Sequence, residues 1–259
     1  MIEQFGFYWS AFSGIILTRY IVVAGGVYLL VHTVLKDLLK RQGVGLKPSP
    51  WLEIRQDVKL SAISALVFAL GAAGIMVSYN AGRTCLYSAV QDYGIWYLGF
   101  SFVAVLILQD TYFYFLHRLL HHPSLFRYFH KGHHGSRNPT PWTSFAFDPL
   151  EACIQGCFFV GIVFVLPLHF GTLIAVLMTM TLWAVFSHLG FRVFPDSWFP
   201  WWFNQWLIGP THHIVHHHCY KANYGLYFTI WDRLLGTQAD SLCAPTKQKG
   251  FPLEKPPTD

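Results

Sequence analysis

The sequence predicts an all-α chain: a multi-pass membrane helical bundle of about four to five membrane segments, capped on one face by a histidine-rich layer. Three observations predict it. Of the 259 residues only 12% are charged and 53% are hydrophobic, with a mean hydropathy of +0.37. A soluble domain carries about 25% charged residues and can cover itself with them. Several apolar stretches approach the ~20 residues that a helix needs to cross a bilayer. The chain also holds 14 histidines against 13 acidic residues, and most of the histidines fall in two short windows.

The first apolar segment covers roughly residues 11–35 and is interrupted by Arg19; the second covers roughly 58–79 and the third roughly 95–116. A fourth, about 151–167, and a fifth, about 171–187, flank Pro167-Leu168-His169-Phe170-Gly171. At ~1.5 Å per residue each is shorter than a full hydrocarbon core, so they form either two short tilted helices or a hairpin that stops before the far face. The N-terminus, MIEQFGFYWS, has no basic n-region and no small-residue cleavage site, so no removable signal peptide is expected. A tail rich in Pro and Lys, residues 241–259, is expected to be flexible.

Loop charge predicts the orientation. Lys36, Lys40, Arg41, Lys47, Arg55 and Lys59 lie between or beside the first two segments, and Arg83 alone lies between the second and third. The positive-inside rule places the first loop in the cytoplasm. The third segment then returns to that side at His117, where Arg118, Arg127, Lys131 and Arg137 follow, and the fourth and fifth return to it at His188. Every histidine cluster falls on one face. A net charge of +5 without a Lys/Arg run gives no nucleic-acid signature. Five cysteines with no CxxC spacing give no thiolate metal site.

Six histidines lie in residues 117–134 (His117, His121, His122, His130, His133, His134) and five in 212–218 (His212, His213, His216, His217, His218). They read as HxxxH, HxxHH and HxxHH. On a helix, i, i+3 and i+4 share a face, so paired imidazoles reach one ion or two adjacent ones. Eight imidazoles exceed the four that one zinc takes, which points to two metals, and all-imidazole ligation suits iron, copper or zinc rather than calcium or magnesium. His188, at the end of the fifth segment, is a further candidate ligand. His122 and His218 are in register with nothing and stay open between ligand and surface residue; the isolated His32 and His169 read as structural. Asp110 lies two helical turns before His117 on the same face, so it either orients a ligand imidazole or pairs with another polar group of the bundle.

These motifs resemble the fatty acid hydroxylase/sterol desaturase superfamily of membrane di-metal oxygenases. The likeness runs from about Asp110 to Thr237. His130-Lys131-Gly132-His133-His134 with Pro139-Thr140-Pro141, and His212-His213-Ile214-Val215-His216-His217 with Tyr220, Asn223-Tyr224-Gly225, Tyr227-Phe228-Thr229 and Trp231-Asp232-Arg233, are similar to the sterol C-5 desaturase (lathosterol oxidase) branch. That branch often carries histidine where Phe145 and Asp148 stand here. The resemblance implies membrane helices over 1–94, a catalytic region over 95–240 on the cytoplasmic face, and location in a bacterial inner membrane or the endoplasmic reticulum. It implies two iron ions, with zinc able to occupy the same ligands, and O2 as co-substrate for desaturating or hydroxylating a sterol-like lipid. The implied ligands are His117, His121, His130, His133, His134, His188, His212, His213, His216 and His217. Asn223 is implied to hold a metal-bound water or the adjoining loop, and Asp232 to support the ligands from behind. Trp142 and Phe145 are candidates for a substrate tunnel, whereas Trp201 and Trp202 read better as interfacial anchors.

The chain has no HPGG, GxGxxG or four-cysteine iron–sulfur motif. The implied electron donor is therefore a separate cytochrome b5-like or ferredoxin-like protein with its reductase, and no nucleic-acid partner is expected. The alternatives are a fatty-acyl or ceramide hydroxylase of the same superfamily and, from another class, a histidine-relay metal transporter. A transporter would want polar residues at the midplane of its spans, which are almost clean of them.

Overall fold

The computed structural model describes residues 2–41, 49–136, 138–190 and 205–239. Lys47, Arg137, Trp201, Trp202 and the tail over 241–259 lie outside the described residues.

Among the described residues four helices are long and apolar enough to cross a membrane: α1 (Ile2–Val34), α3 (Trp51–Asn80), α4 (Ile95–Leu120) and α7 (Phe170–Ser187). The first begins nine residues earlier than the apolar run, because Phe5, Phe7, Tyr8 and Trp9 continue it across scattered polar positions. A short helix α2 (Lys36–Arg41) follows α1, and α5 (Pro123–Phe129) follows α4. The fourth apolar segment is α6 (Pro149–Val165), 17 residues, shorter than a bilayer crossing. Two residue pairs, Leu86↔Leu168 and Tyr87↔His169, form a parallel bridge that ties the α3–α4 loop to the α6–α7 turn. Beyond α7 come α8 (Pro210–Cys219) and α9 (Ile230–Leu234). His169 serves the α6–α7 turn, with Nε2 donating to the Ser88 carbonyl and Nδ1 accepting from Gly171 N–H. His32 packs on the Tyr28 ring at 4.3 Å. Both are structural.

Small residues let the spans approach. Ser61, Ala65, Ala69 and Ala73 recur every four positions along one face of α3 and are wholly buried. Ala65 and Ala69 share a core with Ile16, Tyr20 and Ala24 of α1, Val185 of α7 and Phe145. The opposite faces expose Ile15, Ile21, Val22, Val103, Ile107, Ile174 and Leu182, as lipid-facing surfaces do.

In its C-terminal half α1 widens into π-helical turns, Ile21–Gly25 and Leu30–Val34. Gly25 sits in the first, where a Cβ would stand 2.8 Å from Trp142 Cη2. The glycine thus admits the 3-10 turn Pro141–Phe145 against the bundle, and Tyr20 Oη fixes that turn by donating to the Trp142 carbonyl at 2.9 Å. Trp142 is a wedge between α1 and this turn. Behind it, Asp57 of α3 accepts from Ser136 Oγ at 2.6 Å and Thr143 Oγ1 at 2.7 Å, holding the segment that carries the second histidine motif.

Candidate metal centre

The histidines gather where α4, α5, α7 and α8 end together. They form two groups. His117, His121, His130, His134 and His216 make one, and His133, His188, His213 and His217 make the other; within each, the candidate ligand nitrogens lie within 4.8 Å of one another. All but His121 are buried. Two observations show how nearby sequence serves two sites. His130 and His134 join the first group while the intervening His133 faces the second. On α8, His216 faces the first group while His213 and His217 face the second.

The rings are held from behind. His117 Nδ1 donates to the Tyr224 carbonyl at 3.0 Å, His133 Nδ1 to that of Ala146 at 3.2 Å, His188 Nδ1 to that of Ala184 at 2.7 Å and His216 Nδ1 to that of Ala222 at 2.7 Å. His130 Nδ1 faces Glu151 Oε2 at 2.8 Å. A ring that donates through Nδ1 presents a bare lone pair at Nε2. The Nε2 atoms of these and the remaining rings converge: Nε2 of His117 and His130 are 3.0 Å apart, Nε2 of His121 and His134 each 3.1 Å from that of His216, and Nε2 of His213 2.9 Å from that of His188 and 3.1 Å from that of His217.

Two neutral imidazoles fixed with bare nitrogens face to face repel. A cation between them reverses the sign. Nitrogens 2.9–3.1 Å apart are close enough for each to reach one shared ion through an imidazole–metal bond of ~2.0–2.1 Å. The donor set therefore fits two imidazole-ligated metal ions. Burial keeps the rings neutral and ready to bind: it lowers His133 to about 4, and His188 and His216 to about 3.

His212 does not join either group. Its Nδ1 accepts from Gly209 N–H at 3.2 Å and its carbonyl accepts from Asn223. It is one position, about 100°, round the helix from His213, so it caps the start of α8 instead of facing the ions. His122 caps α5 by accepting from Ser124 N–H, and His218 Nδ1 donates back to the Ile214 carbonyl. Neither is a candidate ligand.

The three residues expected to act around the ligands all work through one loop. Tyr220 adopts a left-handed conformation, φ 57°, that ends α8, and Asn223 repeats it at φ 58°. This double reversal brings Ala222 and Tyr224 back over the rings they hold. Asn223 Nδ2 donates to the carbonyls of His212 and Ala239, and Oδ1 accepts from Ala239 N–H. Asp232 accepts from the N–H groups of Tyr224 and Gly225, both at 2.9 Å, and from Thr237 Oγ1. Asp110 Oδ1 accepts from the N–H groups of Leu226, Tyr227 and Phe228, the nearest at 2.7 Å. Asp110 thus pairs with backbone and orients no imidazole directly, the second of its two readings.

The carboxylate that does orient a ligand is Glu151, which the sequence reading missed. It is 1% exposed, and its Oε1 also accepts from Gln155 Nε2 at 2.9 Å. Its signal was present: an acid one turn into an apolar segment is costly and calls for a partner. Phe145 and Asp148 have roles of their own. Asp148 Oδ2 accepts from Gly132 N–H at 2.7 Å, inside the second histidine motif, and Phe145 packs in the bundle core.

A cavity of about 460 Å³ runs from the histidines into the bundle. His117, His130, His133, His188 and His213, from both groups, form one end; Phe12, Ile16, Phe68, Phe145 and Leu177 are among the apolar walls. Phe145 lines it as expected. Helices from both sides of residue 95 contribute, so the N-terminal spans are part of the site.

The fatty acid hydroxylase profile matches residues 102–237. Lathosterol oxidase of Rattus norvegicus is 35% identical over 159 residues, 60% of this chain and 51% of that protein. A probable Delta(7)-sterol 5(6)-desaturase of Neurospora crassa is 31% identical over 194 residues, 74% of this chain and 53% of that protein. A Delta(7)-sterol 5(6)-desaturase of Gibberella zeae is 29% identical over 185 residues, 71% of this chain and 56% of that protein. The chain spans little more than half the length of these relatives. No solved structure matches. With the three histidine motifs all inside the matched segment and all but His212 of the expected ligands converging there, the chain belongs to the fatty acid hydroxylase family.

Proposed function

We propose that the chain is an integral-membrane di-iron oxidoreductase that uses O2 to desaturate or hydroxylate a sterol-like lipid. The observation that carries this reading is the apolar cavity that opens directly on both histidine groups. Bound there, an iron pair would supply O2 activation strong enough to break an unactivated C–H bond, with two electrons from outside. Removal of two hydrogens with reduction of O2 to two waters gives an alkene; insertion of one oxygen with release of one water gives an alcohol.

The protein's own part is positional. Nδ1 contacts fix five of the nine rings, His117, His130, His133, His188 and His216, before any ion arrives, which lowers the cost of assembling the site. The apolar walls exclude water and admit a lipid from the bilayer. The relatives' names favour a sterol over an acyl chain or ceramide. The histidines cluster at one end of the helices rather than along a midplane path, which leaves little support for a transporter.

Arg118, Arg127 and Lys131 are exposed beside the histidines. We place this basic surface, with Arg137 from the sequence, on the cytoplasmic side of an inner or endoplasmic reticulum membrane, as the dock for an acidic cytochrome b5-like or ferredoxin-like donor. Neutralising Arg118, Arg127 and Lys131 should slow reduction by such a donor and flatten its salt dependence; an unchanged salt dependence removes the dock. For the activity itself, lipids of a sterol-producing host are compared by mass spectrometry with and without the protein. Loss of two hydrogens reports desaturation and gain of one oxygen reports hydroxylation. No new lipid, from protein holding iron and supplied with electrons, overturns the proposal.

A further inference from the structure

The cavity is apolar along most of its wall, yet Arg19 stands in it. Arg19 belongs to the membrane-crossing α1, and its guanidinium carbon lies 5.7 Å from the centre of the Phe145 ring. Its Nε is buried without a hydrogen-bond partner. Among the described residues no carboxylate forms an ion pair with it. A cation inside a membrane helix is expensive and persists where it meets a partner. Among the described residues its guanidinium packs on the Phe145 ring face.

Other polar groups in the wall are already engaged. Gln109 Oε1 accepts from Tyr227 Oη, Gln155 donates to Glu151, Glu151 faces His130, and Ser144 Oγ donates to the Pro141 carbonyl. Ser187 Oγ is buried without a partner, but it adjoins His188 at the histidine end. Among the described residues Arg19 is the one Lys or Arg in the wall. A file of rings relates it to the metal centre: Phe145 is 6.4 Å from Phe147, and Phe147 stacks on His133 at 5.4 Å. Arg19, Phe145, Phe147 and His133 all face the cavity. A molecule filling it would meet imidazoles at one point and a guanidinium two rings away.

We propose that Arg19 is the polar anchor of this cavity: it donates hydrogen bonds to an oxygen of the bound lipid, a hydroxyl or a carboxylate, and so selects which carbon reaches the histidines. A guanidinium carries several donors, serves either oxygen and gains most where water is excluded. The inference rests on reading the cavity as the substrate site and deepens that reading.

The test is equilibrium binding to the full-length, metal-loaded protein in lipid nanodiscs, with no turnover. The probes are lathosterol against its 3-deoxy hydrocarbon, and palmitate against hexadecane. Wild type should prefer the oxygenated member of one pair by about ten- to hundredfold, the range of a hydrogen bond to a charged group. Arg19→Met should bring that ratio close to one by weakening the oxygenated ligand alone, while Arg19→Lys should keep part of it. Loss in the sterol pair identifies a hydroxyl, and loss in the palmitate pair a carboxylate. Unchanged ratios in Arg19→Met, or equal weakening of both members of a pair, overturn the proposal. Metal content is measured on every variant; if Arg19→Met does not fold, Arg19→Gln and Arg19→Lys decide, since an anchor requires Lys to outperform Gln. A protein that discriminates through Arg19 but converts no sterol keeps this inference and loses the proposed activity.

Discussion

Glu151 Oε2 lies 2.8 Å from Nδ1 of His130, and each of the two residues is 1% exposed. A carboxylate this dry is costly unless a partner repays it. His130 supplies the N–H, Gln155 supplies another, and the imidazole so held turns Nε2 toward His117. The pair couples α6 to the histidine cluster.

Glu151→Ala should weaken metal binding by about 10- to 100-fold, the usual cost of losing the group behind a ligand. Glu151→Gln should fall between Ala and wild type, because an amide oxygen still accepts from Nδ1 while the charge is gone. Competition with a graded series of chelators measures this. Equal affinity in all three proteins would deny Glu151 any role in the site.

The two adjacent histidines at the start of α8 should separate cleanly. His213→Ala removes a nitrogen from the four-histidine group and should lower bound metal from about two ions per chain toward one. His212→Ala removes the helix-start contact to Gly209 N–H and should retain both ions, with a stability loss of about 1 kcal/mol. Elemental analysis of purified protein reads the first outcome and thermal unfolding in detergent the second. A His212 variant that loses an ion would restore it as a ligand.

Much of this was legible in the sequence because it depended on helix period. The i, i+4 spacing of His213 and His217 already implied one shared face, and the excess of imidazoles already implied more than one site, as the two groups bear out. His212 falls outside both groups because one step of about 100° carries it off the face that His213 and His217 share. Asp110 shares the face of His117 as its spacing implied, yet the Tyr224–Phe228 loop runs along that face and takes both: Tyr224 holds the imidazole and the next amides take the carboxylate. Period gives a face and not the element that will cover it. Glu151 and His130 meet across 21 positions and a change of helix, a long-range contact that no local pattern encodes.

The metal-free protein should lose stability in acid. The folded state holds His133 near 4, and His188 and His216 near 3, against an ordinary value of 6.5. Below about pH 6.5 the unfolded chain takes up protons that the folded one refuses, so the unfolded state binds more protons and stability falls as pH drops, levelling only below the folded values. The melting midpoint of chelator-treated protein should be flat above about pH 7 and decline steadily toward pH 4. Bound metal should oppose the decline, since protons and ions compete for the same nitrogens. A midpoint indifferent to pH over that window would mean that the rings are not held buried and neutral.

Asp232 reaches the centre through one peptide unit. It accepts from Gly225 N–H, and the carbonyl of that same peptide, from Tyr224, accepts from His117 Nδ1. Burial raises its pKa while the hydrogen bonds from Thr237, Tyr224 and Gly225 oppose the rise, so the carboxylate depends on those donors to stay ionised. Gly225 permits the contact: a Cβ there would stand 3.1 Å from Asp232 Oδ2 and strike the Phe228 carbonyl. Asp232→Ala leaves two buried N–H groups without partners and should cost about 2–4 kcal/mol of stability. Asp232→Asn, which keeps an acceptor oxygen, should cost less. Because the loop also carries the acceptor for His117, both variants should loosen metal in the same order as they lose stability. Unfolding and chelator competition on the same preparations test the coupling; a destabilised Asp232→Ala protein with wild-type metal affinity would show that the loop and the imidazole move independently.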